Sequence, residues 1–257
     1  NLSTYKVLRD AEITAMYTQN KYTITYTTDC GTLSTTTKQV TYDEAYSVGG
    51  GLTTPSGCTG YSFAGWRLGS KTGSAVNNDT IVKTDSNHTL YATWSANSYV
   101  VTVNANGGTL LSLAGWTNSS DNKTATKSLV YDGAYGTLPT PTRNGHTFEG
   151  WHLGSETGTL VTSGTILKTA NNHTLVAKWL INVAVPTASG YCTTPTYNGT
   201  KQMIVNTAPA GFTWANHEQT NAGTYIVTAK ISTGYTWGGT DFADKTIVCK
   251  INKRNVI

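Results

Sequence analysis

Apolar and polar residues alternate along most of this chain. In KYTITYTT (21–28) the apolar positions are Tyr22, Ile24 and Tyr26; in YSFAGWRL (61–68) they begin at Tyr61 and Phe63; in HTLYATW (88–94) they are Leu90, Ala92 and Trp94. A period of two puts one set of side chains on a buried face and the other in water, so each stretch predicts a strand. KQVTYDEAY (38–46) predicts another strand after a DCGT turn, and a Gly- and Pro-bearing loop leads on to Gly60. Nothing sustains the 3.6-residue period of a helix, which leaves room for a short helix or turn near 42–46 or 79–83.

The pattern then returns. GYSFAGWRLGSKTG (60–73) is echoed by GHTFEGWHLGSETG (145–158), and NHTLYATW (87–94) by NHTLVAKW (172–179), both at an offset of 85. Self-similarity of this kind builds length or valency rather than one active site. The two copies run over about 20–96 and 97–180. Tyr22 matches Tyr99 at an offset of 77 but Tyr42 matches Tyr131 at 89, so the second copy gains twelve residues (89 − 77) within LSLAGWTNSSDNK. The first copy carries four extra residues (89 − 85) around SVGGGLTTPSGC. Insertions fall in surface loops. Trp116, in the longer insertion, has no counterpart and is a candidate ligand contact, although packing back on its own module is the more ordinary fate of an indole. AEITAMY (11–17) aligns with HTLYATW at an offset of 77, so residues 1–19 read as the tail strand of a preceding repeat and the chain as a piece of something longer.

From about Ile181 the repeat stops. PTYNGTKQ, TNAGTYIVTAKI, GYTWGG and DKTIVCKI read as short strands between Asn-Gly, Ala-Gly and Gly-Gly turns at sandwich-like spacing, forming a module over 181–253. Tyr225 follows Asn221 by four residues, as a tyrosine does behind the turn into strand F of an immunoglobulin-type domain. Cys192 and Cys249 would then lie in the first and last strands, and 254–257 would begin a following module.

Both copies resemble the Listeria-Bacteroides repeat, also called the internalin B repeat. The resemblance rests on YVVTVNANGGTL, VYDGAYGTLPTPTRNGHTFEGWHL and NHTLVAKW in the second copy, and on YTITYTTDCGTL, TYDEAYS, GYSFAGWRL and NHTLYATW in the first. It implies a small β-grasp, ubiquitin-like fold in a bacterial surface or secreted protein. The first copy departs at Cys30 and in its SVGGGLTTPSGC loop, which bears on turn geometry rather than fold. The last module is similar to bacterial immunoglobulin-like surface modules, with Cys249 where their closing strand usually has Trp. Neither family carries catalytic residues to transfer.

Composition agrees with a strand-rich chain. Charged residues are 12% of the chain, against the roughly 25% of an average soluble protein. The net charge of +4 is mild and its basic residues are scattered, which argues against nucleic-acid binding. No apolar run approaches the roughly 18 residues of a membrane span, so direct membrane insertion is not expected from this segment. Four cysteines fall as Cys30 and Cys58 in the first copy, and Cys192 and Cys249 in the last module. The second copy has Gly107 near the place of Cys30 and no cysteine between Thr140 and Gly145. A pair present or missing together predicts disulfides, worth roughly 3.5 and about 4 kcal/mol by loop entropy, and an oxidising compartment; buried free thiols are the alternative.

Catalytic chemistry finds little support. GWRLGSKT (65–72) is one residue short of a phosphate loop, but the second copy has Glu156 in place of Lys71. His88 and His173 each sit in N-H-T, where turn hydrogen bonding is the simpler role. His146 and His152 have Tyr61 and Arg67 as counterparts, so the copies share no metal site. Trp66, Trp94, Trp151 and Trp179 read as framework core, while Trp116, Trp214 and Trp237, in or beside turns, are the candidate exposed ligand contacts. The expectation is a mainly β chain with no enzyme activity, cofactor or metal: two β-grasp repeats and an Ig-like sandwich in an elongated rod. It would be a monomeric stalk and adhesion segment at a bacterial cell surface, with a host extracellular protein or glycan as partner. The alternatives are an accessory region of a large extracellular enzyme, or a dedicated glycan- or protein-binding module.

Overall fold

A computed structural model describes residues 17–254. The expected tail strand over 1–19 lies outside them apart from 17–19, which carry no regular structure, and of the segment 254–257 only Arg254 is described. The chain is mainly β and divides into two compact units, Asn1–Asn97 and Ser98–Ile257.

The first unit contains β1 (Lys21–Thr27), β2 (Thr37–Thr41), β3 (Tyr61–Leu68), β4 (Ala75–Val76) and β5 (His88–Ala96) in one sheet of order β2-β1-β5-β3-β4. β1 pairs antiparallel with β2 and parallel with β5, with Ile24 opposite His88; β5 pairs antiparallel with β3. The predicted alternation holds: Ile24, Tyr26, Leu90, Ala92 and Trp66 point into a core closed by Val40, Tyr46, Val76 and Val82. The strand expected over 38–46 is shorter. It stops at Thr41 because Asp43 takes a left-handed φ of 64°, which turns the chain so that Tyr46 drops under the sheet. Asp132 does the same at φ 64° in the second unit. The long connection from β2 to β3 carries turns and an isolated Ala45–Ile81 bridge, and no helix.

The second unit repeats this plan with β6 (Ser98–Asn104), β7 (Thr109–Leu110), β8 (Thr117–Asn118), β9 (Thr124–Val130), β10 (Pro141–Thr142), β11 (His146–Leu153), β12 (Leu160–Val161) and β13 (His173–Asn182). The sheet order is β12-β11-β13-β6-β9-β8, with β6 parallel to β13. The twelve-residue insertion therefore adds β8 as an edge strand on β9.

The rest of the second unit holds α1 (Ala188–Tyr191), β14 (Gln202–Met203), β15 (Phe212–Ala215), β16 (Glu218–Gln219), β17 (Gly223–Ile231), β18 (Tyr235–Thr236) and β19 (Lys245–Ile251). β15, β17 and β19 form an antiparallel sheet, and β14 pairs with β16. Ile204, Val205, Val227, Ile247, Cys249 and Ile251 fill one core, and Phe212, Ala229 and Trp237 a second. Cys192 does not lie in a first strand. It caps the single turn of α1 and makes an isolated bridge with Val205, because the Thr187 hydroxyl accepts from the Gly190 N–H and starts a helical turn. β13 runs on past its repeat so that Ile181 and Asn182 pair in parallel with Tyr235 and Thr236 of β18.

Candidate interaction surface

Two of the three tryptophans expected at exposed turns are turned inward, and the third is half-buried. Trp116 is 8% exposed and lies in the core with Val103, Leu110 and Tyr135. Its Nε1–H donates to the Thr137 carbonyl at 3.1 Å, and Lys127 Nζ stands 5.8 Å from its ring centroid. Trp237 is 7% exposed, donates to the Ala243 carbonyl at 2.8 Å and packs on Phe212. Trp214 is half-buried, donates to the Asn206 carbonyl and meets Tyr191 and Phe212 edge-on. The expectation of exposed indoles is thus corrected at Trp116 and Trp237: a turn can bend an indole back wherever a backbone carbonyl accepts its N–H, and burial then gains a large apolar area. Trp66 and Trp151 are equally buried and donate to the Thr53 and Pro139 carbonyls.

The recurring histidines lock turns to the core. His88 Nδ1 lies 2.8 Å from the Ser86 carbonyl, so that nitrogen carries the proton, and Nε2 accepts from the buried Tyr46 hydroxyl at 2.7 Å. His173 repeats both contacts with Asn171 and Tyr135. Burial holds the Tyr46 and Tyr135 hydroxyls above the ordinary tyrosine pKa. Two further pairs match: Lys83 with Asp43, and Lys168 with Asp132, each lysine also lying near a tyrosine ring, Tyr42 or Tyr131.

The string resembling a phosphate loop is the turn from β3 into β4. Gly73 is required there because a Cβ would stand 1.8 Å from the Leu68 carbonyl oxygen, and at Gly158 it would stand 1.9 Å from that of Leu153. Arg67 and His152 occupy matching places and both reach the carbonyl of that glycine, at 3.4 Å and 2.8 Å. Lys71, instead of facing a helix N-terminus, pairs with Asp29 at 2.5 Å. Among the described residues no group of three His, Cys, Asp or Glu is placed to hold a metal ion.

Both cysteine pairs form disulfides, Cys30–Cys58 and Cys192–Cys249, with Cα separations of 5.3 and 5.4 Å. Beside the first lies a cleft of about 410 Å³ lined by Asp29, Tyr61, Lys71, Thr93, Trp94 and the disulfide itself. The hydrogen bond from Lys71 holds the Asp29 carboxyl below the usual carboxylate range. Sequence reading missed this cleft as a unit, because its walls come from the β1–β2 turn, the approach to β3, the β3–β4 turn and β5. A groove recurs at one place in both repeats, of about 180 Å³ at Trp66 and Gly65 in the first and about 420 Å³ at Trp151 and Gly150 in the second.

Comparison with known proteins matches the Listeria-Bacteroides repeat domain twice, at residues 22–93 and 99–178. The chain is also 30% identical over 191 residues to a protein of Evansella cellulosilytica provisionally named a Gly-rich membrane protein. The match takes in 71% of this chain and 19% of that relative, so the chain spans about a fifth of the relative's length. No solved structure matches.

Proposed function

We propose, from the premise that the chain belongs to the Listeria-Bacteroides repeat domain family, that it is a non-catalytic stalk and interaction segment of a bacterial cell-surface or secreted protein. The observation that carries this reading is what the two repeats share. Their matched polar contacts, Tyr46–His88 with Tyr135–His173 and Asp43–Lys83 with Asp132–Lys168, all brace turns against the sheet, and none is arranged as an acid–base pair. The E. cellulosilytica relative supports a surface setting by its name. Two disulfides suit an oxidising, extracellular compartment.

The finer architecture belongs to the same reading. The sheet order β2-β1-β5-β3 around a central parallel pair supports a β-grasp without its helix. The Tyr225 hydroxyl donates to the Asn221 carbonyl at 2.6 Å, a tyrosine-corner contact that supports an Ig-like module over 181–253. Three modules, 20–96, 97–180 and 181–253, would act as an elongated monomeric rod, anchored through the parent chain and presenting its surface to a host protein or glycan. Pairing of β13 with β18, and the Gly239 N–H donated to the Thr147 hydroxyl, support a stiff junction between the second and third modules. Small-angle scattering of the whole chain tests the rod: a compact globule of this length has a radius of gyration of about 18 Å. A clearly larger value is expected, and a value at the globular figure would remove the rod.

A further inference from the structure

The two repeats keep the same frame but part company together at one corner. Asp29, Cys58, Tyr61, Lys71 and Thr93 of the first correspond to Asn106, Arg143, His146, Glu156 and Lys178 of the second, by the offsets of 77 and 85. Ala92 and Trp94 keep their identity there as Ala177 and Trp179, and each indole N–H is held, by the Thr28 hydroxyl and the Ala105 carbonyl. In the second repeat the Arg143 guanidinium lies against Gly107 and donates to the Asn106 carbonyl, while Asn106 donates to the Ala177 carbonyl and to Glu156. In the first, a compact disulfide takes the place of the arginine, and a carboxylate with no proton to give takes the place of the asparagine.

We infer that the cleft beside Cys30–Cys58 is a binding site for one neutral pyranose unit of a glycan, which deepens the interaction part of the proposed function and rests on it. Its size lies within the about 300–1,000 Å³ typical of small-ligand clefts. Tyr61 and Trp94 supply aromatic wall against which the apolar C–H face of a sugar ring can pack. Asp29 and Lys71 have side chains 59% and 56% exposed and stand 2.5 Å apart, so a vicinal pair of hydroxyls can donate to the carboxylate and accept from the ammonium. The two charges cancel locally, which favours a neutral polyol over an anionic sugar or phosphate. The disulfide pre-organises the site, since Asp29 precedes Cys30 and the Tyr61 N–H donates to the Cys58 carbonyl at 3.1 Å. A peptide strand would find only a short edge here: β5 pairs with β3 along Ala92 to Trp94 and with β1 up to Tyr91, which leaves three residues on the β1 side for strand addition.

The test is a titration of the whole oxidised, ¹⁵N-labelled chain with neutral hexasaccharides of glucose, xylose, mannose and N-acetylglucosamine, read by amide chemical shifts. At least one should give saturable shifts confined to residues 29–31, 58–61, 71 and 92–94. Asp29→Ala and Lys71→Ala, both at exposed side chains, should each weaken that binding about tenfold with unchanged melting. Asn106→Ala and Glu156→Ala should leave it unaltered. No shift with any of the four at about 10 mM, beyond the weakest single-sugar affinities, would overturn the site. So would shifts centred on the Trp66 and Trp151 grooves, or shifts of the cleft amides by a mixed decapeptide pool but by none of the glycans. None of these outcomes touches the scattering test, so the stalk reading stands or falls separately.

Discussion

The first repeat ties its β1–β2 turn to the loop before β3 with the Cys30–Cys58 disulfide; the second ties the matching turn with Arg143, stacked on Gly107 and donating to the Asn106 carbonyl at 3.3 Å. The turns differ to suit. Gly31 is left-handed at φ 72° in the first, whereas Asn106 and Gly107 are left-handed in succession, at 48° and 83°, in the second. The tether itself is therefore what the frame needs, and its chemistry is free to vary. A disulfide acts chiefly by restricting the unfolded chain and takes little room, while an arginine acts through hydrogen bonds and covers the corner with a long side chain. That difference sets a cleft beside the disulfide in one copy and a long arginine side chain across the same corner in the other.

Reduction should break the comparison most strongly. Removing both disulfides should cost the last module about 4 kcal/mol and the first repeat roughly 3.5 kcal/mol, with no direct loss in the second repeat. Residue-resolved hydrogen exchange with and without reductant checks this, and equal loss in both repeats would show that the tether does not act locally. The insertion supplies the next test. Trp116→Ala should destabilise the second repeat by about 3 kcal/mol through the cavity it leaves, an effect to be read from urea unfolding.

The Tyr–His pairs should respond unequally in the two copies. His88→Ala removes a hydrogen bond from the buried Tyr46 hydroxyl and should cost about 1–2 kcal/mol in the first repeat, whereas His173→Ala should cost less in the second, where the Tyr135 hydroxyl also bonds Thr169; unfolding of each variant in urea checks the order. The same tyrosines supply a pH signature. Burial raises their pKa, so their contribution is fully present below the unfolded value of about 10 and is lost as pH rises through the folded value. Alkaline unfolding followed at the tyrosinate absorbance should show it. Arg143→Ala should have the smallest effect, about 1 kcal/mol, in the second repeat only, by thermal unfolding of the single variant.

Much of this was legible in the chain itself. The period-two stretches became β1, β3 and β5, the cysteines paired as their joint presence suggested, and the N-H-T turns are held by side chains. The strand over 38–46 failed at Asp43, where a left-handed residue ends a run whose composition still looks extended. Trp116 failed as an exposed contact because a loop's length is visible in sequence while the direction of its indole is not. The cleft was invisible for a related reason: Asp29 and Lys71 are 42 residues apart, and neither is unusual for a turn.

By itself, then, the sequence determined which faces are buried, that the chain repeats, and which cysteines belong together. Side-chain period and internal repetition are local properties, written residue by residue. The tertiary structure alone decided that an arginine stands in for a disulfide, that an inserted tryptophan fills a core, and that a charged pair, two aromatic rings and a bridge meet in one cleft. Those outcomes depend on which segments the sheet order brings within a few ångströms of each other, and non-local pairing is fixed by packing the whole frame.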